Sequence, residues 1–244
     1  MWTDLGVTIN GETLLLDTSG AAFWPARSTL IFADLHLEKG SSYARGRQFL
    51  PPYDTLATLS RMRAAVLRYN PGRIIALGDS FHDGRAAERL SPEARDMLSA
   101  FACEFIWISG NHDPMPPAWL GGTVTAEWSE GGLLFRHEPQ EICRPGEIAG
   151  HLHPCAHVAK WGRRVRRRCF AADGVRMVLP SFGSYTGGLD VGEEAIARLF
   201  GPRFHAYMLG TERVYAMPRI QVGRRNTTDD IQPISSAITT AARP

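Results

Sequence analysis

The chain has 244 residues, of which 44% are hydrophobic and 21% charged, with a formal net charge of +2. These are globular proportions. They exclude a disordered or collagen-like chain, and so small a net charge does not by itself demand a polyanionic partner. Cys103, Cys143, Cys155 and Cys169 form no C-x-x-C pair and match no disulfide-framework spacing, which predicts reduced thiols. The opening MWTDLGVTINGETLLLD has no basic segment leading into an apolar one, and no window approaches the ~18 apolar residues of a membrane span. The expectation is a soluble, cytoplasmic protein that does not engage membranes.

In chain order, residues 12–16 (ETLLL) and 29–33 (TLIFA) read as strands, separated by breaks at Gly20 and Pro25. Leu56, Leu59, Met62, Ala65, Val66 and Tyr69 fall at helical spacing and predict a helix over 55–70, with Asp54 as N-cap and Pro71-Gly72 as its stop. A buried strand comes next at 73–77 (RIIAL). After it lie a helix over 92–102 capped by Ser91, with Pro92 near its start, and a strand at 104–108 (EFIWI). The strand–helix alternation from 29 to 108 is that of an α/β chain with parallel strands. Beyond residue 120, GGLLFRHE, EIAGHLHP, VRMVLP (175–180) and FHAYML (204–209) predict shorter strands, and EEAIARLF (193–200) a last helix. Residues 1–222 are expected to form one domain. Residues 223–244 are polar and without periodicity, and are expected to be a flexible tail.

The chemistry lies at the residues just beyond each apolar run. TLIFA ends in Asp34-Leu35-His36, RIIAL in Gly78-Asp79, and FIWIS in Gly110-Asn111-His112-Asp113; LLFR ends in His137, and EIAG in His151-Leu152-His153. In open α/β sheets ligands sit beyond the carboxyl ends of strands. A single D-x-H or GD is common by chance, whereas five strand ends in succession carrying such residues are not. The donors are Asp34, His36, Asp79, Asn111, His137, His151 and His153. They overfill one tetrahedral zinc, which takes about four ligands, but suit two ions sharing a carboxylate. Imidazole mixed with oxygen and no thiolate favours manganese, iron or zinc over magnesium or calcium.

The series D-x-H, GD, GNHD, H and GHxH, in this order, resembles the calcineurin-like binuclear metallophosphoesterases. The resemblance implies an α/β fold, a two-sheet sandwich flanked by helices (α/β/β/α). It also implies two divalent ions, manganese first with iron or zinc as alternatives. One ion would be held by Asp34, His36, Asp79 and His153, and the other by Asp79, Asn111, His137 and His151. His112 matches the family's catalytic histidine, which faces the scissile phosphate and aids departure of the leaving group, and Asp113 the acid that orients it. The implied reaction is in-line attack by a metal-bridging hydroxide with no covalent enzyme intermediate. The stretches FADLHLEKGSSYARGRQFLPPYDT, ALGDSFHDG, SGNHD, GHLHP and LPSFGSYTGG are further similar to the ligase-associated DNA damage response endonucleases of that family. This implies a manganese-dependent endonuclease preferring single-stranded DNA, associated in function with a ligase, a helicase and an exonuclease.

Several other residues have both an ordinary and a functional reading. His82 lies three positions after Asp79; the family's repair nucleases carry a histidine at that offset, so the resemblance implies a contact to the substrate phosphate, the ordinary reading being a locally bonded loop histidine. Cys155 and His157 continue the alternation of GHLHPCAH, but Pro154 intervenes and no second ligand pair comes after it, so neither is expected to bind metal. In the run Lys160, Arg163, Arg164, Arg166, Arg167 and Arg168, a strand would place Arg164, Arg166 and Arg168 on one face. The run reads as a localisation signal, which nothing else in the sequence supports, as a charge-guarded edge, or as a rim that tracks DNA phosphates. Lys39, Tyr43, Arg45 and Arg47 are weaker candidates of the same kind. The alternatives to a nuclease are a phosphomonoesterase or nucleotide pyrophosphatase using the same centre and, less favoured, a non-catalytic nucleic-acid-binding scaffold.

Overall fold

A computed structural model describes residues 4–45, 53–113, 116–160, 163–201 and 203–218. Arg47 and the tail at 223–244 lie outside the described residues. Two mixed sheets face each other. The first contains β1 (Leu5–Ile9), β2 (Glu12–Leu16), β3 (Ala22–Trp24), β4 (Thr29–Ala33), β5 (Arg73–Leu77), β6 (Glu104–Ile108) and β7 (Thr123–Thr125), in that spatial order. Its first four strands pair antiparallel and β4 to β7 pair parallel.

The second sheet is built from β8 (Glu127–Glu130), β9 (Leu133–Arg136), β10 (Glu147–Ala149), β11 (Cys155–Lys160), β12 (Arg163–Ala172), β13 (Arg176–Val178), β14 (His205–Leu209) and β15 (Val214–Pro218). Its order is β15-β14-β12-β13-β10-β9-β8, with β11 paired to β12 as a projecting hairpin.

The central strands of the first sheet are covered on both sides, so they read as continuous apolar runs. Ile31, Ala33, Ile75, Leu77, Ile106 and Ile108 face the second sheet's Leu133, Phe135, Ile148, Phe170 and Met177. The alternate residues Leu30, Phe32, Ile74, Ala76, Phe105 and Trp107 meet the helices α2 (Asp54–Tyr69) and α4 (Pro92–Ser99), preceded in the chain by α1 (Lys39–Arg45) and α3 (Ala86–Arg89). The outer face of the second sheet is covered more thinly, by the single turn α5 (Glu194–Ala197) and the apolar residues around it. Among the described residues no helix is long and apolar enough to cross a membrane.

Three expected helices differ at their ends, the last, expected over 193–200, being only the single turn α5. Ser91 caps α4 as expected, its side chain accepting Ala94 N–H, but the helix stops at Ser99, and Phe101 instead packs against the core under the first sheet. Asp54 does not cap α2: it is the first helical residue, and its buried carboxylate accepts Gly40 N–H at 2.9 Å, tying α2 to α1.

Candidate metal centre

β4, β5, β6, β9 and β10 end on the same side of the sandwich, and the residues after them converge there. The turns are tight. Asp34, His36, Asp79, His151 and His153 all adopt positive φ, between 45° and 67°, a region costly for residues with a side chain. Strain of this kind, about 1–3 kcal/mol per residue, persists where surrounding structure over-determines it, as at ligand sites. The motif glycines give the donors room. A Cβ on Gly78 would lie 2.3 Å from His137 Nδ1, and one on Gly110 would lie 2.2 Å from the Asp79 backbone N and 2.3 Å from its Oδ1.

Two donor clusters result. Asp34, His36 and His153 form one, and Asp79, His137 and His151 the other, each with its ligand atoms within 4.8 Å of one another. Asp79 stands between them: its Oδ2 lies 3.9 Å from His36 Nε2 and 3.5 Å from His137 Nε2. Asn111 joins the second cluster through Oδ1, 2.6 Å from His137 Nε2. The seven sequence-predicted donors thus lie near one another, six of them in the two clusters and Asn111 against His137.

The donor chemistry fits cations. His36 Nε2 and His153 Nε2 approach to 3.4 Å, and His137 Nε2 lies 3.2 Å from His151 Nδ1. His137 Nδ1 sits 3.0 Å from Leu77 C=O, so it carries a proton there, and its Nε2 is the ring atom that faces Asn111 Oδ1 and Asp79 Oδ2. Ring nitrogens crowded at these distances with carboxylate and amide oxygens form a donor set that two divalent ions would satisfy.

The charges agree. Burial drives His36 down to about 3 against the pull of Asp34, leaving a neutral ligand ring. Burial also works against ionisation of Asp79, yet its hydrogen bond with His137 and the His112 N–H hold it below the usual carboxylate range. His137 is buried too, but the Asp79 and Asp34 carboxylates raise it to about 9, so metal uptake would displace its extra proton.

His112 stands at the mouth, its side chain 45% exposed and its Nε2 3.9 Å from Asp79 Oδ2. Its backbone N–H donates to Asp79 Oδ1 at 3.0 Å, and its Nδ1 lies 2.9 Å from His82 C=O. Asp113 therefore reaches His112 through the backbone rather than by direct contact. Its carboxylate accepts Phe81 N–H at 2.9 Å, and the loop so held presents the His82 carbonyl. Burial pushes Asp113 up to about 7. The His82 ring stacks on His112 at 5.3 Å and lies 5.8 Å from Tyr43, whose own ring is 5.9 Å from Lys39 Nζ.

The arginines divide. β12 places Arg164, Arg166 and Arg168 on one face, opposite Ala159, His157 and Cys155 of β11. Arg164 and Arg166 are exposed, and Arg166 donates to Gly188 C=O beside His153. Arg168, expected on the DNA rim, is half-buried, and Nη1 donates to Ser181 C=O at 2.6 Å. Its guanidinium thereby braces the turn whose Ser181 Oγ and Gly183 N–H both donate to Asp34 C=O. Arg61 of α2 donates to Phe182 C=O in the same turn and lies over the Phe182 ring. Sequence reasoning missed Arg61 and Ser181, and no spacing signal marks either. His157 pairs with Asp190, and Cys155 is buried; neither joins the donor clusters.

No curated protein sequence matches the chain. Among solved structures it is similar to Pseudomonas putida nuclease MPE, with a TM-score of 0.67 and 28% identity over 88% of this chain and 100% of that one. The calcineurin-like phosphoesterase family matches residues 28–180, more than half the chain, a span containing all seven donors. The chain therefore belongs to the calcineurin-like phosphoesterase family, whose members use two divalent ions, and is a metal-dependent hydrolase.

Proposed function

We propose that the protein is a DNA endonuclease that prefers single strands, uses manganese and acts in DNA repair. The observation that carries this reading is an exposed His112 beside a largely buried, two-part donor cluster, with an arginine-bearing hairpin that begins two residues after His153. Likeness to a nuclease supports a nucleic acid as substrate. Resemblance of the sequence motifs to ligase-associated repair endonucleases supports a role beside a ligase, a helicase and an exonuclease.

Asp34, His36, Asp79 and His153 would hold one ion, and Asp79, Asn111, His137 and His151 the other. Such a pair, when bound, lowers the pKa of water and neutralises charge on phosphoryl oxygens. The protein's own part is positioning and proton transfer. The carbonyl facing Nδ1 keeps a proton on that nitrogen and fixes the ring, so a second proton, on Nε2, is the one His112 can hand to the leaving oxygen. Asp113 holds the 79–82 loop that sets this orientation. His82 would contact the phosphate from the side of His112, and exposed Arg164 and Arg166 would steady the strand beyond it through salt-dependent contacts. Arg168, engaged with backbone carbonyls, contributes to this edge by support rather than contact.

The test is to strip the protein of metal, restore manganese, iron or zinc, and supply single-stranded circular DNA, duplex DNA, a nucleotide pyrophosphate and a phosphomonoester. Cleavage of the circular single strand, fastest with manganese, is the expected result. Turnover of only the small substrates replaces the nuclease reading with a phosphomonoesterase or pyrophosphatase. DNA binding without turnover of any substrate leaves a scaffold.

A further inference from the structure

Beside the loop that carries His82 the surface opens into a cavity of about 300 Å³. Its lining includes Phe81, Asp83, Glu88, Arg95, Asp113 and Trp119. Two of these, Asp83 and Asp113, directly follow His82 and His112 in the chain, so the cavity is lined by the same loops that carry those histidines.

The lining combines aromatic side chains with charged ones. Trp119, on the short turn Ala118–Leu120, is 45% exposed although it is the largest kind of apolar side chain. The Arg95 guanidinium of α4 lies 5.8 Å from the centre of its ring, with Nη2 anchored on Ala87 C=O at 3.2 Å. Phe81 closes the inner end and is buried. Asp83 and Glu88 are paired with the guanidiniums of Arg89 and Arg85, so among the described residues the lining offers no unpaired cluster of positive charge for a phosphate. Its carboxyl oxygens offer acceptors to ring N–H and amino groups, while the indole face and the Arg95 guanidinium plane offer stacking surfaces. A flat, uncharged heterocycle with donor edges meets all of these conditions, and a cavity of this volume is at the size of a small-ligand site.

We infer that this cavity takes one nucleobase of the strand, stacked on Trp119, while that strand's phosphate lies at His112. The inference rests on the nuclease reading and deepens it: the cavity would favour single strands, because a base must leave its stack to enter. Arg95 orients Trp119, and Asp83, held by Arg89 at 2.7 Å, presents a fixed edge.

The test uses the manganese-loaded full chain in a His112→Ala background, which slows loss of the strand. A single-stranded oligonucleotide carries 2-aminopurine, and a matched oligonucleotide carries abasic sites instead of bases. Binding should quench 2-aminopurine. Trp119→Ala should abolish the quenching and weaken binding of the base-containing strand roughly tenfold, the scale of one base stacked on one aromatic ring. Trp119→Phe should keep most of both, and the affinity gap between base-containing and abasic strands should shrink in Trp119→Ala. Equal affinity of the unsubstituted protein for the two strands, or an unchanged gap in Trp119→Ala, overturns the inference. Failure of the nuclease reading looks different: the protein with His112 intact then cleaves no DNA, whatever Trp119 does to binding.

Discussion

At the scale of single residues, the centre separates side chains that hold metal from one that moves a proton, and the two kinds should fail differently. His112 lies outside both donor clusters and is exposed at the mouth. His112→Ala should lower kcat about 10²–10⁴-fold while the protein keeps its full metal content, read by elemental analysis of the purified variant. Asp79→Ala should lose both activity and metal, since Asp79 reaches both clusters. A His112→Ala protein that loses metal in step with activity would return His112 to the ligand set. Asp83 gives a separate prediction on pH. The Arg89 guanidinium holds its carboxyl below the ordinary value of 3.8. A group depressed in the folded state stabilises the fold fully above its unfolded pKa and loses that contribution as pH falls through the folded one. Asp83→Asn should therefore be less stable than the parent at neutral pH, and denaturant unfolding should show the gap closing only below about pH 3.8.

At the scale of elements, the strands that carry the site are set by local pattern and their end residues by distant contacts. Residues 12–16, 29–33, 73–77 and 104–108 were legible because covered strands are short apolar runs with turn signals on both sides, and the observed strands have these same limits. The metal donors were legible for a related reason, since each comes directly after such a run. What the sequence hid is long-range. Lys39–Arg45 has no apolar period and is held as α1 partly by Asp54 from the next helix. Arg168 looked like one more exposed arginine because its carbonyl partner, Ser181, is 13 residues away along the chain. Trp119 and Arg95 meet only because α4 and the turn before β7 fold to one end of the sheet. The glycines between strand and donor can be tested as parts of these elements. Gly110→Ala puts a methyl group against the Asp79 backbone and carboxylate. The expected result is a folded protein that binds less than its full metal complement, with activity down at least tenfold. Full metal occupancy in that variant would show that the turn can shift without moving Asp79.

At the scale of the molecule, one buried charge network ties the second sheet to the site. Arg136 on β9, Glu147 on β10 and Arg176 on β13 lie side by side; Glu147 and Arg176 are fully buried, and Arg136 nearly so. Arg176 Nε lies 3.2 Å from Glu147 Oε1, and Arg136 Nη1 lies 3.6 Å from Oε2. Burial still pushes the Glu147 carboxyl up against the pull of both arginines. Arg176 also donates to Leu199 C=O at 2.8 Å and to Gln140 C=O, so it fastens the chain beside α5 and the loop after His137 onto the sheet. Removing one member of such a network strands its partner. Arg176→Met should cost about 3–5 kcal/mol in denaturant unfolding, and Glu147→Gln less, because the amide keeps the shape and part of the bonding. Pairing Arg176→Met with Glu147→Met should recover part of the single-variant loss, since no uncompensated charge is then left between these two positions. The site should feel the same change. With the Gln140 tether gone, His137 at the head of its loop is less well fixed, and the second ion should be lost at lower chelator concentration than the first. Equal release of both ions from Arg176→Met would confine the network to stability and separate it from the metal centre.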